Sequence, residues 1–256
     1  MTKLRSLLAT IVMAAFWAFP AAAAGPASPV VVELFTSQGC SSCPPANAYL
    51  GELAKEPGVI ALGFHVDYWD YIGWKDPFAS AGSTSRQRRY SEQLGSRYLY
   101  TPEMVVDGKA DATGSDRSAV GRLIQRAGKA GAKIAISVAE PRDDHYRITL
   151  PAGSIKGTAT LWAAIFERQR DTAVERGENE GRTLRDFNAV RELRSLGHWD
   201  GTAQTIELDM DLPRAQGCVL LLQADVPAGD GQGPILGAAR VEERDAKADK
   251  AKSDTE

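Results

Sequence analysis

Two cysteines three positions apart, Cys40 and Cys43, are the residues of this chain best placed to do chemistry. They stand in PVVVELFTSQGCSSCPPANAYLGEL, Pro29 to Leu53. Cysteines at i and i+3 near the start of a helix share one side of its first turn and are close enough to close a small disulfide ring. The outer sulfur, Cys40, faces free backbone N–H groups and the positive end of the helix dipole, which favour its thiolate. Cys43 sits one turn deeper and is the natural resolving thiol. The chemistry this implies is thiol–disulfide exchange, in which Cys40 attacks and Cys43 breaks the mixed disulfide. The same spacing also fits a plain structural disulfide, or half of a metal site completed from elsewhere.

The surrounding pattern supplies the elements that must hold the pair. The apolar, β-branched run Val30 to Phe35 predicts a buried strand, and the polar stretch containing Gly39 predicts a turn. Ala46, Leu50, Leu53 and Ala54 then recur at helical spacing. Pro44 and Pro45 place the start of the regular helix at Pro44, because proline suits a first helical position and disrupts an interior one. Cys40 then falls in the preceding turn, with less help from the dipole. Glu33 is the odd residue of the first strand, since a buried carboxylate needs a partner or a proton; a strand edge open to water is the alternative.

Val59 to Val66 predicts a second buried strand, running into Tyr68-Trp69-Asp70-Tyr71-Ile72-Gly73-Trp74 and Lys75-Asp76-Pro77-Phe78. In open α/β sheets ligands gather beyond the carboxyl ends of the strands. Trp69, Tyr71 and Trp74 are therefore candidates for a rim that grips a substrate peptide or small disulfide; the competing role is apolar contact for a loop folded onto the core. His65 is a candidate third metal ligand beside the cysteines, although no HxxxH, second CxxC or carboxylate cluster accompanies it. The short helix holding Arg86, Arg88 and Arg89 is expected to present them to solvent.

Strand, CxxC and helix, a further strand (Gly58 to Asp70), a helix (Ser85 to Gly95) and Tyr100-Thr101-Pro102-Glu103-Met104-Val105-Val106-Asp107-Gly108 follow in the order of the thioredoxin superfamily, which this chain resembles. SQGCSSCPP with HVDYWD, GWKDPF and YTPEMVVDG resembles more closely a secreted bacterial thioredoxin-like family, catalogued as domain of unknown function 1223, over nearly all of the mature chain. The resemblance implies a cis Thr101–Pro102 bond facing the cysteines and offering a backbone edge to an extended substrate. It also implies that Glu33 stands near the place of a buried acid that relays protons to the resolving cysteine, though one residue further from the first cysteine. A helix over Ala119 to Ala130 closes this unit.

With 43% hydrophobic and 25% charged residues, the 256-residue chain can bury one large or two modest cores. Lys3 and Arg5, the apolar Leu7 to Phe19 and Ala22-Ala23-Ala24 predict a cleavable signal peptide over 1–24 and a periplasmic or secreted protein. Its apolar stretch is too short for a membrane span, which takes roughly 20 residues. Without Lys3 and Arg5 the 30 basic residues become 28 against 33 acidic ones, a net charge of −5. That balance points away from nucleic acid, and no segment of the mature chain is predicted to span a membrane.

From Lys133 the pattern turns to strands alone: Ile134 to Val138, Tyr146 to Leu150, Thr158 to Phe166, Asn188 to Leu196, Thr205 to Asp209, Cys218 to Ala224 and Ile235 to Arg240. Such spacing predicts a β-sandwich of seven or eight strands. Glu175 to Arg185 is expected to be a surface hairpin, and Cys218 a buried apolar residue. His198 and Asp200 lack a nucleophile in sequence range. The expectation is thus an α/β thioredoxin-like domain over 28–130, an all-β sandwich over 131–241 and a charged, disordered tail over 242–256. The expected activity is thiol–disulfide exchange on exported proteins or small thiols, with no organic cofactor. A non-catalytic binding module with a permanent disulfide, and a copper or zinc carrier, are the alternatives.

Overall fold

The structure is a computed structural model and describes residues 28–131, 133–142, 144–226 and 232–241. The predicted signal peptide and charged tail lie outside the described residues. The first strand, β1 (Val30–Thr36), is buried along its whole length and pairs in parallel with β2 (Val59–His65). Helix α1 (Pro44–Leu53) connects them, with Pro44 at its start as the sequence requires. On the other side β1 pairs antiparallel with β3 (Glu103–Val106), which forms a hairpin with β4 (Ala110–Thr113). Asp107 and Gly108 turn this hairpin with φ of 50° and 63°, the left-handed region that Asp and Gly tolerate.

Two further helices complete this half. Ser80 caps α2 (Ala81–Leu94) by accepting from the Ser83 N–H, and Gly95 ends it with φ 71°. Asp116 caps α3 (Arg117–Lys129) by accepting from the Ala119 N–H. Strand alternation decides what each face of β1 meets. Val30, Val32 and Leu34 pack with α1 and α3 side chains, whereas Val31 and Phe35 pack with Tyr90 of α2.

The later strands do not close a separate seven- or eight-stranded sandwich. Four of them, β7 (Ala159–Ala173), β8 (Thr183–Trp199), β10 (Gln216–Ala224) and β11 (Ile235–Val241), join β1–β4 in one eight-stranded sheet of order β11-β10-β7-β8-β2-β1-β3-β4. The sheet therefore draws strands from both sides of residue 130. The other three, β5 (Ser137–Arg142), β6 (His145–Leu150) and β9 (Gln204–Asp209), form a small sheet. Tyr146, Ile148, Leu150 and Leu208 from it share a core with Leu161, Cys218, Leu220 and Leu222 of the large one. Helix content is small beside this sheet, and the whole is mixed α/β.

The backbone pairing between the two halves is narrow, although side chains of both share one core. β2 and β8 pair in parallel at Gly63 and Ala189. A Cβ on Gly63 would lie 3.2 Å from the Phe187 carbonyl oxygen, and one on Gly51 of α1 only 2.6 Å from the Phe187 ring. Glycine at both places lets β8 approach the sheet and the helix. Asn188 takes φ 46°, and its side-chain amide donates to the Ala61 carbonyl at 2.8 Å, fixing β8 at this seam.

Candidate functional site

Cys40 and Cys43 are joined in a disulfide, with Cα atoms 5.4 Å apart. Cys43 stands at the N-cap of α1, its carbonyl accepting from the N–H groups of Ala46 and Asn47, and Cys40 lies in the turn before the helix. The Sγ of Cys40 is 3.3 Å from the Ser42 hydroxyl.

Cys40 differs from expectation in its exposure. Instead of projecting from an open helix end it is 1% exposed, as is Cys43. The cause is the tip of the β7–β8 hairpin. The segment expected to be a plain surface hairpin folds onto the CSSC turn. Asn179, fully buried, donates to the carbonyl oxygens of Gln38 and Cys40 at 2.9 and 3.0 Å. The Glu178 carboxylate accepts from the Ser41 N–H at 3.0 Å, and this contact holds the carboxyl below its usual range. The Arg182 guanidinium donates to the Asn179 side-chain oxygen at 2.7 Å.

The aromatic loop packs against the same turn. A Cβ on Gly39 would meet Trp69 Cβ and Ile72 Cδ1 at 3.2 Å, and one on Gly177 would meet Ile72 and Trp74. The Trp69 indole N–H donates to the Thr101 hydroxyl at 2.8 Å, and that of Trp74 donates to the Gln38 side-chain oxygen at 3.0 Å. Tyr71 points away from these contacts and is 82% exposed. The Thr101–Pro102 bond is cis. Ala46 of α1, Leu34 of β1 and Pro102 all crowd the position a Cβ on Gly114 would take. The cysteines, Trp69, Trp74, Thr101 and Pro102 thus lie together at one end of β1, beside α1.

Glu33 is the buried carboxylate with a partner, not a strand-edge residue open to water. It is fully buried, so it does not reach water, and both carboxylate oxygens are bound. Arg86 donates to them from Nε and Nη2 at 2.6 and 2.9 Å, and the Tyr90 hydroxyl donates at 2.8 Å. Strand alternation is the reason: Glu33 shares the α2 side of β1 with Val31 and Phe35, so its carboxylate meets α2. The arginine expected to be solvated, Arg86, is its buried counter-ion. Arg86 also reaches Gln223 of β10, tying the two halves together.

What the sequence did not disclose is a polar cluster linked to the CSSC turn. His65 Nδ1 lies 2.7 Å from Asp76 Oδ2, and its Nε2 lies 3.7 Å from Asp186 Oδ1. Asp186 also accepts from the Asn47 and Gln38 side chains at 2.7 Å each, and Asp76 from the Gln38 N–H at 2.8 Å. All five residues are buried. Burial works against a charge on His65, but Asp76 and Asp186 outweigh it and raise its pKa. Burial also opposes ionisation of Asp76, yet His65 and two backbone N–H groups hold it low. Burial raises Asp186.

Nearby, burial pushes Glu103, the residue after Pro102, up to about 7; its carboxylate accepts from the Gln87 side chain at 2.6 Å. Cys218 is buried and its thiol is pushed up to about 12 by burial. Among the described residues, no group of three His, Cys, Asp or Glu side chains is placed to hold a metal, and no helix is long and apolar enough to cross a membrane.

Beside the disulfide a cleft of about 320 Å³ opens between the start of α1 and the start of β8, lined by Pro44, Asn47, Ala48, Arg182, Leu184 and Phe187, among others.

Comparison with known proteins places this arrangement. A crystal structure of an Agrobacterium tumefaciens protein, a structural-genomics target, is 33% identical, with a TM-score of 0.70 over 85% of this chain and 96% of that one. HBP35 of Porphyromonas gingivalis is similar in fold alone, at 14% identity and a TM-score of 0.56, over 84% of this chain and 75% of that one. No curated protein matches the chain. The family model described as "Protein of unknown function (DUF1223)" matches residues 31–223, and the chain belongs to that family.

Proposed function

We propose that the protein is a thioredoxin-like thiol–disulfide exchange protein acting outside the cytoplasm on exported proteins or small thiols. The observation that carries this is the Cys40–Cys43 disulfide at the start of α1, with a cis Thr101–Pro102 bond on the neighbouring side of the same helix. A parallel β1–β2 pair, an antiparallel β3–β4 hairpin and helices on both faces support the thioredoxin-like layout. Cys40 attacks, Cys43 resolves, and Thr101, Pro102, Trp69 and Trp74 position the substrate. Glu33, committed to Arg86, is left out of the proton traffic.

Exchange on this site needs the β7–β8 tip to lift, because Asn179 and Glu178 lie over the turn. That same cover favours a second reading, a binding protein with a permanent structural disulfide. The two separate by experiment. The wild-type protein is expected to accelerate disulfide reduction or reshuffling in a test protein, and the Cys40→Ser variant is expected to lose that activity. Equal rates for the two would sink the exchange reading and leave the binding one.

A further inference from the structure

The His65–Asp76–Asp186 cluster has no part in the exchange chemistry above, yet it is wired to both ends of the CSSC turn. Asp186 is held by Gln38, two residues before Cys40, and by Asn47, whose backbone N–H donates to the Cys43 carbonyl at 3.1 Å. It comes from β8, in the half of the chain that lacks the Cys40–Cys43 pair. Cys40, Cys43, the three cluster residues, Gln38 and Asn47 are all buried, so charges here interact through a weakly polarisable interior.

The count of charges sets the sign. With His65 protonated, its imidazolium balances one of the two carboxylates and leaves the other uncompensated. Asp76, at 2.7 Å, is the nearer partner of the imidazolium, so Asp186 is the carboxylate in excess. The other charges around the cluster do not cancel it. Arg191 opposes protonation of His65, and its guanidinium donates to the Pro77 carbonyl at the exposed side. Asp171 is paired with Arg185 on the surface. Asp70, whose carboxylate accepts from the Asp76 N–H, adds negative charge, as does Glu178 over the turn. Three further cations lie toward the surface: Arg182 bonds to Asn179, Lys75 acts on Asp70, and Arg170 lies over the Phe78 ring beside His65.

We propose that Asp186 is a positioning residue for the cysteine pair, its buried negative charge disfavouring thiolates at Cys40 and Cys43 and so holding the pair toward the disulfide. This rests on the exchange reading. In the coupled reaction two electrons pass from two donor thiols to the pair. The Cys40–Cys43 bond breaks and a donor disulfide forms. The donor protons end on the cysteine sulfurs below the thiol pKa values, and are released to water above them. A negative charge alongside penalises only the ionised product, so its effect appears only where thiolate forms.

The test compares wild type with Asp186→Asn, which keeps the shape and lets His65 retain Asp76. Equilibrium against a defined thiol buffer is measured at pH 6 and pH 9, and the thiolate absorbance of the reduced protein is titrated in the ultraviolet. The expected result is a thiol titration displaced to lower pH. At pH 9 the equilibrium constant should move about tenfold toward the dithiol, a potential about 30 mV less negative, with little change at pH 6. Equal values at pH 9 in a variant that melts cooperatively would overturn the proposal, and so would one displacement common to both pH values. If Asp186→Asn does not fold, the Cys43→Ser protein is used instead, since it keeps Asp186 and one site thiol. A Cys40 thiol that titrates above about 8.5, the value of a free cysteine, supports the proposal, and one that titrates at or below it overturns it. A pair that the thiol buffer never reduces defeats the exchange reading itself, so the two failures are told apart.

Discussion

The indole N–H of Trp69 donates to the hydroxyl of Thr101 at 2.8 Å, joining the loop after β2 to the residue before the cis proline. Trp69 also closes over Gly39, one residue before Cys40. One side chain thus spans from the cysteine turn to the edge proposed to receive substrate. Thr101→Val removes the acceptor and leaves a part-buried indole N–H without it, at about 1–2 kcal/mol. The expected outcome is a several-fold rise in KM for a peptide disulfide, with the rate of reduction by a small thiol little changed. Equal losses for both substrates would show that the bond serves stability alone.

The cover over the disulfide gives a kinetic prediction. Asn179 makes two buried hydrogen bonds to the CSSC turn, and Asn179→Ala deletes both. The variant should lose about 1–3 kcal/mol of stability. Its disulfide should be reduced by dithiothreitol several-fold faster than that of wild type, under conditions where both stay folded. An unchanged reduction rate would mean that the tip does not control access.

The Glu33–Arg86 pair makes the opposite prediction about a residue first considered for chemistry. Arg86→Leu strands a fully buried carboxylate and should cost about 3–5 kcal/mol in urea unfolding. The double variant Glu33→Leu/Arg86→Leu should be clearly more stable than the single one. Exchange activity of the folded double variant should stay close to wild type, whereas a proton-relay role for Glu33 predicts its loss.

Glu103 sets a pH dependence. Its folded pKa of about 7 lies above the 4.5 of an exposed carboxyl, mainly through burial. The folded protein therefore binds more protons than the unfolded chain between those values, and stability from this group falls as pH rises through that window. Glu103→Gln keeps the hydrogen-bonding shape and should remove that fall. The variant should gain stability over wild type at pH 8, on the order of 3 kcal/mol, and not at pH 4. Denaturant midpoints at the two pH values decide it.

The local elements were legible in the sequence because each is specified by its own residues. Pro44 begins α1, the β-branched runs make β1 and β2, and Asp107-Gly108 turns the β3–β4 hairpin. The cysteine pair, Pro102 and the aromatic loop were legible for the same reason. What escaped was set by pairing between distant strands. Nothing local to Gly63 or Ala189 says that β2 and β8 meet, so the merging of both halves into one sheet was hidden. With it were hidden the approach of Asp186 to His65 and of Asn179 to Cys40. Arg86 looked solvated because its partner lies 53 residues earlier. His65 was the one local sign of the buried cluster, an imidazole on an apolar strand with no partner in sequence range.

The reduction potential of the Cys40–Cys43 pair, titrated against defined thiol buffers with alkylation and mass readout, tests the central claim most directly. The exchange account predicts a value between about −120 and −270 mV, the range of exchange catalysts. A value below about −300 mV, typical of structural disulfides, would contradict it.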